Sequence, residues 1–172
     1  MSLVSGCALV GNSKVSLNTP QMTVTSPLFN EHLIPSQFTC HGVGESPPVF
    51  WSGAPPGTRS FALVVDDSAT PITPYVYWIV FNINPGSEIQ AGMIPTGAVE
   101  ADNSAGTAKY RAPCPAGRTH QYRFTVYALN ASLPLGKGAQ LKAVWTAIAN
   151  HAIARGWLTA TAVRTESPAR RK

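Results

Sequence analysis

Short stretches of alternating apolar and polar residues recur along the chain, and this period of two is typical of β-strands. The clearest stretch is Gln121–Val126, in which Tyr122, Phe124 and Val126 alternate with polar residues. Ser60–Val65 is instead apolar throughout, which predicts a strand that is buried on both faces. The hydrophobic pattern therefore predicts a fold that is built mainly of strands.

Four more segments are rich in β-branched and aromatic residues, and each predicts a strand. They are Met22–Ser26, Val49–Trp51, Tyr75–Ile83 and Trp157–Val163. Glu88–Gly106 lacks such a pattern and is predicted mostly as loop. The 15 Pro and 14 Gly of the chain favour short strands and turns over long helices.

One helix is predicted late in the chain, because its apolar residues recur at helical spacing. This stripe consists of Leu141, Val144, Trp145, Ile148 and Ala152, and Gly156 is the predicted C-cap. Many short strands with one late helix predict a mostly β fold, a two-sheet antiparallel β-sandwich with a C-terminal α-helix packed at an edge.

The length of 172 residues fits one domain with a sizeable core. We expect a tail at residues 1–20, a single domain at 21–164 and a basic tail at 165–172. The net charge is +5, but four of the cations, Arg164, Arg170, Arg171 and Lys172, stand at the C-terminal end. No basic stripe with interleaved aromatics crosses the body of the chain, so nucleic-acid binding is not expected.

The N-terminal residues carry a candidate lipidation signal. Val4-Ser5-Gly6-Cys7 resembles the lipobox of bacterial lipoproteins, in which the Cys becomes the lipidated first residue. This interpretation predicts attachment to a membrane in the cell envelope; the alternative is an incidental Cys in a tail of a cytoplasmic protein. No apolar run approaches the ~20 residues that would span a bilayer.

A loop followed by a strand, Lys109–Leu129, carries the most specific motif of the chain. Its Pro113-Cys114-Pro115, Gly117, His120 and Tyr122 resemble the anion-pocket signature of the phosphatidylethanolamine-binding protein family. Three earlier blocks, Ile34–Gly42, Ser46–Trp51 and Gly57–Asp67, look like the bacterial and archaeal branch of that family. The resemblance implies a β-sandwich with a small pocket at one end, and no cofactor.

The resemblance implies a set of ligand-binding residues for a phosphate or a phosphoryl head group: Asp67, Tyr77, Arg111, Pro113, Cys114, His120 and Tyr122. Asp67 ends a predicted strand, and His120 is a donor that can gain a charge near neutral pH. Tyr77 and Tyr122 offer hydroxyls and aromatic walls. Backbone N–H groups of Arg111–Cys114 are expected to form a nest, a concave set of amides that holds an anion.

The chain departs from the family pattern at two places in this expected pocket. The family's Asp-Pro-Asp-x-Pro is here Asp67-Ser68-Ala69-Thr70-Pro71, so the middle acid is missing. A pocket His of the family is replaced by Tyr77. The substitution removes a group that can become positive, which predicts weaker anion affinity or a changed ligand preference.

Three cysteines, Cys7, Cys40 and Cys114, leave the redox state open. The resemblance places Cys40 and Cys114 in blocks that line one pocket, within reach of a disulfide. An oxidising compartment favours that bridge, whereas a cytosolic protein would keep free thiols. A metal site of Cys40, His41, Cys114 and His120 is the weaker alternative, because these spacings are unusual for zinc.

The predicted function is non-catalytic binding of a small anion or phosphoryl group. Since the family includes Raf-kinase-inhibitor-like regulators and protease inhibitors, the resemblance also implies a protein partner, and a homodimer is left open. One alternative is a hydrolase that uses Asp67 and His120, with Ser46 or Ser68 as nucleophile, although no Gly-x-Ser-x-Gly elbow is present. Another is an interaction module whose pocket is degenerate.

Overall fold

The structure is a computed structural model that describes residues 21–29, 31–67, 74–115 and 119–162. Within these residues a 3₁₀ turn lies at Ser36–Phe38. The strands are β1 (Thr23–Thr25), β2 (Phe50–Ser52), β3 (Ser60–Asp67), β4 (Val76–Ile83), β5 (Val99–Glu100), β6 (His120–Leu129) and β7 (Ala152–Ala162), and the helix α1 is Leu141–His151. The sequence predictions for Cys7, Ser68–Pro71, Gly117, Val163 and both tails concern residues outside the described ranges.

Two antiparallel sheets and one helix form the fold, which confirms the predicted fold class. β1 pairs with β2, and the larger sheet has the strand order β5-β4-β3-β6-β7. β3 therefore lies in the middle, and it pairs with β6 without a register shift from Ser60↔Leu129 to Asp67↔Tyr122. This alignment brings the end of β3 and the start of β6 to the same edge of the sheet.

The larger sheet is covered by apolar residues on both faces, because β3 is apolar at every position but its ends. Phe61, Leu63 and Val65 belong to the core between the two sheets. Ala62 and Val64 face the other way, in a second cluster that includes Val144 and Ile148 of α1. The helix therefore packs on a face of the sheet and not at its edge, because an apolar face there needs a cover.

Gly156 does not end the helix, so the predicted C-cap was wrong. α1 ends at His151, and Ala152 directly opens β7. Gly156 lies inside β7, where a Cβ would come within 2.1 Å of the Met22 carbonyl oxygen. Glycine is required there because the chain just before β1 crosses β7 at backbone distance.

The register of β4 against β3 shifts close to the end of the sheet where the predicted site lies. Val65 pairs with Trp78, but Asp66 pairs with Val76, so Tyr77 is an extra residue on β4. Such a β-bulge re-aims side chains at the place where it occurs. Tyr77 consequently packs against the same core as Trp78, its neighbour in sequence.

Candidate functional site

The ends of β3 and β6 bring two ionisable side chains together. The His120 Nδ1 lies 3.1 Å from the Asp67 Oδ2. The Asp67 side chain is only 5% exposed, whereas 38% of the His120 side chain is exposed. The sequence prediction that Asp67 stands at the mouth of a buried strand and His120 at a loop-to-strand junction thus describes one paired site.

The hydrogen bond between these two residues fixes what the imidazole can offer. An ionised Asp67 carboxylate only accepts, so the His120 Nδ1 carries the proton that it donates to Asp67. The other ring nitrogen, Nε2, is then an acceptor in the neutral ring and a donor in the imidazolium. Through Nε2, His120 can donate to a negative ligand only in its imidazolium form.

Tyrosines form the wall of the site beside this pair. The rings of Tyr77 and Tyr122 meet edge to face with centroids 5.2 Å apart, and Tyr75 meets Tyr77 in the same way at 4.9 Å. The His120 ring lies 6.4 Å from the Tyr122 ring. The bulge at Tyr77 is what makes this possible, since it turns that ring toward Tyr122 on β6.

Burial is the main reason that the pKa values of Tyr77, Tyr110 and Tyr122 are raised above the ordinary value. The Asp67 carboxylate raises the pKa of Tyr77 and of Tyr122 as well, since a second negative charge beside it is unfavourable. The Arg111 guanidinium acts in the opposite direction on the pKa of Tyr77. The hydroxyls therefore stay protonated; Tyr110 donates to the Phe38 carbonyl oxygen and Tyr122 is hydrogen-bonded to Tyr77, which leaves the Tyr77 hydroxyl as the donor for a ligand.

These shifts predict a loss of stability at alkaline pH. A raised pKa in the folded state leaves stability intact below the unfolded value of about 10, and stability falls as the pH rises above it. We expect the tyrosinate absorbance of Tyr77, Tyr110, Tyr122 and Tyr127 to develop only with cooperative unfolding; burial likewise raises the pKa of Tyr127. Circular dichroism reports whether the protein is still folded. If all four tyrosines ionised near pH 10 while it was folded, the tyrosines would not be buried as described.

A cleft of about 490 Å³ opens beside Tyr77. Its lining consists of Cys40, Tyr75, Tyr77, Arg111, Ala112 and Cys114. The Arg111 guanidinium carbon lies 6.0 Å from the centroid of the Tyr75 ring. An exposed arginine and two tyrosines thus share one concave surface, which suits an anionic group.

The loop that carries Arg111 is fastened to the Cys40 loop. Cys40 and Cys114 form a disulfide, and the Cys40 N–H donates to the Pro113 carbonyl oxygen at 3.0 Å. The Tyr110 hydroxyl also donates to the Phe38 carbonyl oxygen at 2.9 Å. Pro113 is buried behind the cleft, so its role in this structure is to hold the wall and not to line it.

The expected backbone nest is smaller than predicted. The Arg111 N–H donates to the Tyr77 carbonyl oxygen at 3.0 Å, and Pro113 has no N–H. The N–H groups of Ala112 and Cys114 are what this stretch retains for a ligand. The sequence could not show this, because the strand partner of Arg111 is set by the bulge at Tyr77.

The structure groups the predicted residues into two parts that share Tyr77. Asp67, His120 and Tyr122 make up one part, and Arg111 and Cys114 line the cleft. Sequence reasoning missed Tyr75 and Ala112. The spacing Tyr75-Val76-Tyr77 was a usable signal for Tyr75, since residues two apart in a strand share a face.

The alternative of a metal site finds no support in the described residues. There, no group of three His, Cys, Asp or Glu side chains is placed to hold a metal ion. Cys40 and Cys114 are joined to each other, so neither offers a thiolate. Among the same residues, no helix is long and apolar enough to span a membrane.

The sequence profile of the phosphatidylethanolamine-binding protein family matches residues 24–163. A UPF0098 protein of Methanothermobacter thermautotrophicus is 38% identical over 139 residues, which are 77% of this chain and 92% of that protein. A UPF0098 protein of Mycobacterium tuberculosis is 48% identical over 118 residues, and the chain spans only 57% of its length. A protein of the same organism that is named as a lipoprotein, LppC, is 43% identical over 144 residues. These are 81% of this chain and 71% of the length of LppC.

Two solved structures share the fold. A phosphatidylethanolamine-binding protein homologue from Chlamydia trachomatis, CT736, has a TM-score of 0.77 at 32% identity, covering 86% of this chain and 100% of that one. YbcL of Escherichia coli, described as a new member of the mammalian PEBP family, has a TM-score of 0.75 at 28% identity. The match covers 84% of this chain and 99% of the YbcL chain.

Proposed function

The chain belongs to the phosphatidylethanolamine-binding protein family, and we propose that it is a non-catalytic binding protein for a small anion or a phosphoryl group. The ligand occupies the cleft that Arg111 and Tyr77 line, and the Asp67–His120 pair with Tyr122 forms the adjoining part of the site. The observation that carries the proposal is the convergence of the Arg111 guanidinium and the Tyr77 hydroxyl on one cleft.

The charges of the site support a phosphoryl group over a neutral ligand. Arg111 is exposed in the cleft, and a guanidinium forms strong, charge-assisted hydrogen bonds to phosphate oxygens. The imidazolium form of His120 adds a second donor through Nε2. Asp67 opposes an anion, but its carboxylate is engaged by His120 and would attract an ammonium group on the same ligand.

Hydrolysis is the less favoured alternative. A nucleophile must lie within hydrogen-bond reach of its base, and Ser46, the candidate that the structure describes, has no hydrogen bond to His120. Ser46 is buried, and its carbonyl oxygen accepts the N–H of Gly92. The Asp67–His120 pair is the one feature that favours catalysis, and we assign it to ligand binding.

The proposal extends to the cell envelope as the compartment. The disulfide between Cys40 and Cys114 is stable in an oxidising compartment, the residues before Cys7 match a lipobox, and a relative carries a lipoprotein name. Attachment through a lipidated Cys7 would hold the pocket near a membrane surface. A regulatory role toward a protein partner, as the family resemblance implies, belongs to the same proposal.

Calorimetric titration of inorganic phosphate and of phosphoethanolamine tests the binding site. We expect Arg111→Gln to weaken phosphate binding about tenfold, because one charge-assisted hydrogen bond is lost. His120→Ala should also weaken phosphate binding, since it removes the second donor of the site. Stronger binding of phosphoethanolamine than of phosphate would indicate that the Asp67 carboxylate attracts the ammonium group of the ligand.

The matched control is Arg59→Gln. Arg59 is an exposed arginine just before β3, at the opposite end of that strand from Asp67, so the net charge changes equally while the site is untouched. Unchanged affinity in Arg111→Gln, or an equal loss in Arg59→Gln, would refute the site. No binding at millimolar ligand would favour the interaction module with a degenerate pocket.

A further inference from the structure

β7 is an outer strand of the larger sheet, and both of its ends are already paired with other parts of the chain. At one end the Arg155 carbonyl oxygen accepts the N–H groups of Gln21 at 2.8 Å and of Met22 at 3.3 Å. At the other end the Thr161 N–H donates to the His32 carbonyl oxygen at 2.7 Å. Arg155 and Thr161 therefore direct their backbone groups away from β6.

Within the described ranges, the middle of this edge has no partner strand. In an antiparallel ladder every second residue points its N–H and C=O away from the neighbouring strand, so Trp157 and Thr159 do so like Arg155 and Thr161. No described residue bonds to these four groups of Trp157 and Thr159. An open row of strand donors and acceptors is a template for another strand.

A bay of about 530 Å³ lies beside this open stretch. Between Met22 and His32 the chain leaves β7, because β1 pairs with β2 there. The cavity is lined by Val24, His32, Gln121, Trp157, Leu158, Thr159 and Thr161. Val24 belongs to the core between the sheets, and Leu158 packs against that core. The inner wall of the bay is therefore apolar.

We propose that this bay binds a short extended segment of a partner protein, which adds to the sheet at Trp157 and Thr159. Three residues in extended conformation can satisfy all four open groups. The chain itself shows that the edge accepts such segments, since Leu33 forms a parallel bridge with Thr161. This site is separate from the anion cleft.

The length of the edge limits the partner. Arg155 and Thr161 are occupied, and the stretch from one to the other, with five residues between them, spans roughly 20 Å. A long strand would collide with the segments at Gln21–Met22 and His32–Ile34, and a second copy of β7 carries the same obstacles. The occupant is therefore a chain end or the extended tip of a loop.

The side chains around the bay select an alternating acidic and apolar segment. Arg155 stacks over the Trp157 ring at 5.2 Å, and its Nε is buried without a hydrogen-bond partner in the described part of the chain. No described carboxylate forms a salt bridge with Arg155. An acidic side chain on the outer face of the added strand would meet this cation, while its apolar neighbour enters the bay beside Leu158.

The experiment is a titration of ¹⁵N-labelled protein with the peptide acetyl-Glu-Val-Glu-Val-Glu-amide, followed by nuclear magnetic resonance. We expect the amide signals of Trp157 and Thr159 to move and their hydrogen exchange to slow. The matched peptide with lysine in place of glutamate should bind about fivefold more weakly. In Arg155→Gln the two peptides should bind equally.

Thr159→Pro supplies a second variant. It removes an N–H that no described residue accepts, and proline is tolerated at outer strands, so we expect loss of peptide binding with native dispersion of the spectrum. Phosphate affinity should be unchanged in both variants, which separates this proposal from the anion site. Unmoved Trp157 and Thr159 signals at millimolar peptide, equal binding of both peptides to the native protein, or signals that depend on protein concentration alone would overturn it.

Discussion

Replacing Cys40 and Cys114 together by alanine is expected to lower the free energy of unfolding by about 4 kcal/mol. The bridge joins positions 74 residues apart, and a cross-link that closes so long a loop restricts the unfolded chain strongly. The hydrogen bonds from Cys40 to Pro113 and from Tyr110 to Phe38 remain in the variant. The folded site should therefore persist while the denaturation midpoint falls.

Equilibrium denaturation measures this loss, and two controls define it. Reducing the native protein should reproduce the shift of the double variant. Cys7→Ala removes a thiol outside the described residues and should leave the midpoint unchanged. Equal midpoints for native, reduced and doubly substituted protein would mean that the bridge contributes nothing to stability.

Gly156→Ala is expected to destabilise the protein by about 3 kcal/mol, the range of an overpacked core position. The new Cβ would meet three Met22 atoms within 3.0 Å, two of them backbone, and backbone cannot move away as a flexible side chain can. For a domain of this size the melting temperature should fall by roughly 6–12 °C.

Gly136→Ala is the matched control for this substitution. Nothing lies within 4 Å of a Cβ built at Gly136, and its φ is not positive. A Gly to Ala change there is therefore expected to be neutral or slightly stabilising. If calorimetry gave both variants the same melting temperature, the close crossing of Met22 over β7 would be wrong.

Local patterns predicted those parts of the fold that depend on the side chains of one strand. The alternation in Gln121–Val126 correctly predicted that Tyr122, Phe124 and Val126 lie in the core between the sheets, although Thr125 on the opposite face is buried as well. The continuous apolar run at Ser60–Val65 correctly predicted a strand buried on both faces. In both cases burial follows from the side chains alone, because successive residues of a strand point to opposite faces of the sheet.

The features that sequence reasoning missed depend on contacts between distant segments. The bulge at Tyr77 exists only in the register of β4 against β3, and no residue type marks it. Gly156 has the residue type of a helix cap, but its role is set by Met22, more than a hundred residues earlier in the chain. The hydrogen bond from the Arg111 N–H to the Tyr77 carbonyl oxygen also joins distant segments. It leaves fewer N–H groups for a ligand than the predicted nest had.

The strand order of the larger sheet also has a consequence for synthesis of the chain. β3 and β4 form a hairpin as soon as both have left the ribosome, but the other neighbour of β3 is β6, which begins only at His120. At about 5–20 residues per second, the apolar edge of β3 stays bare for seconds. During these seconds β3 can pair with other unfinished chains, and the protein is then most prone to aggregate.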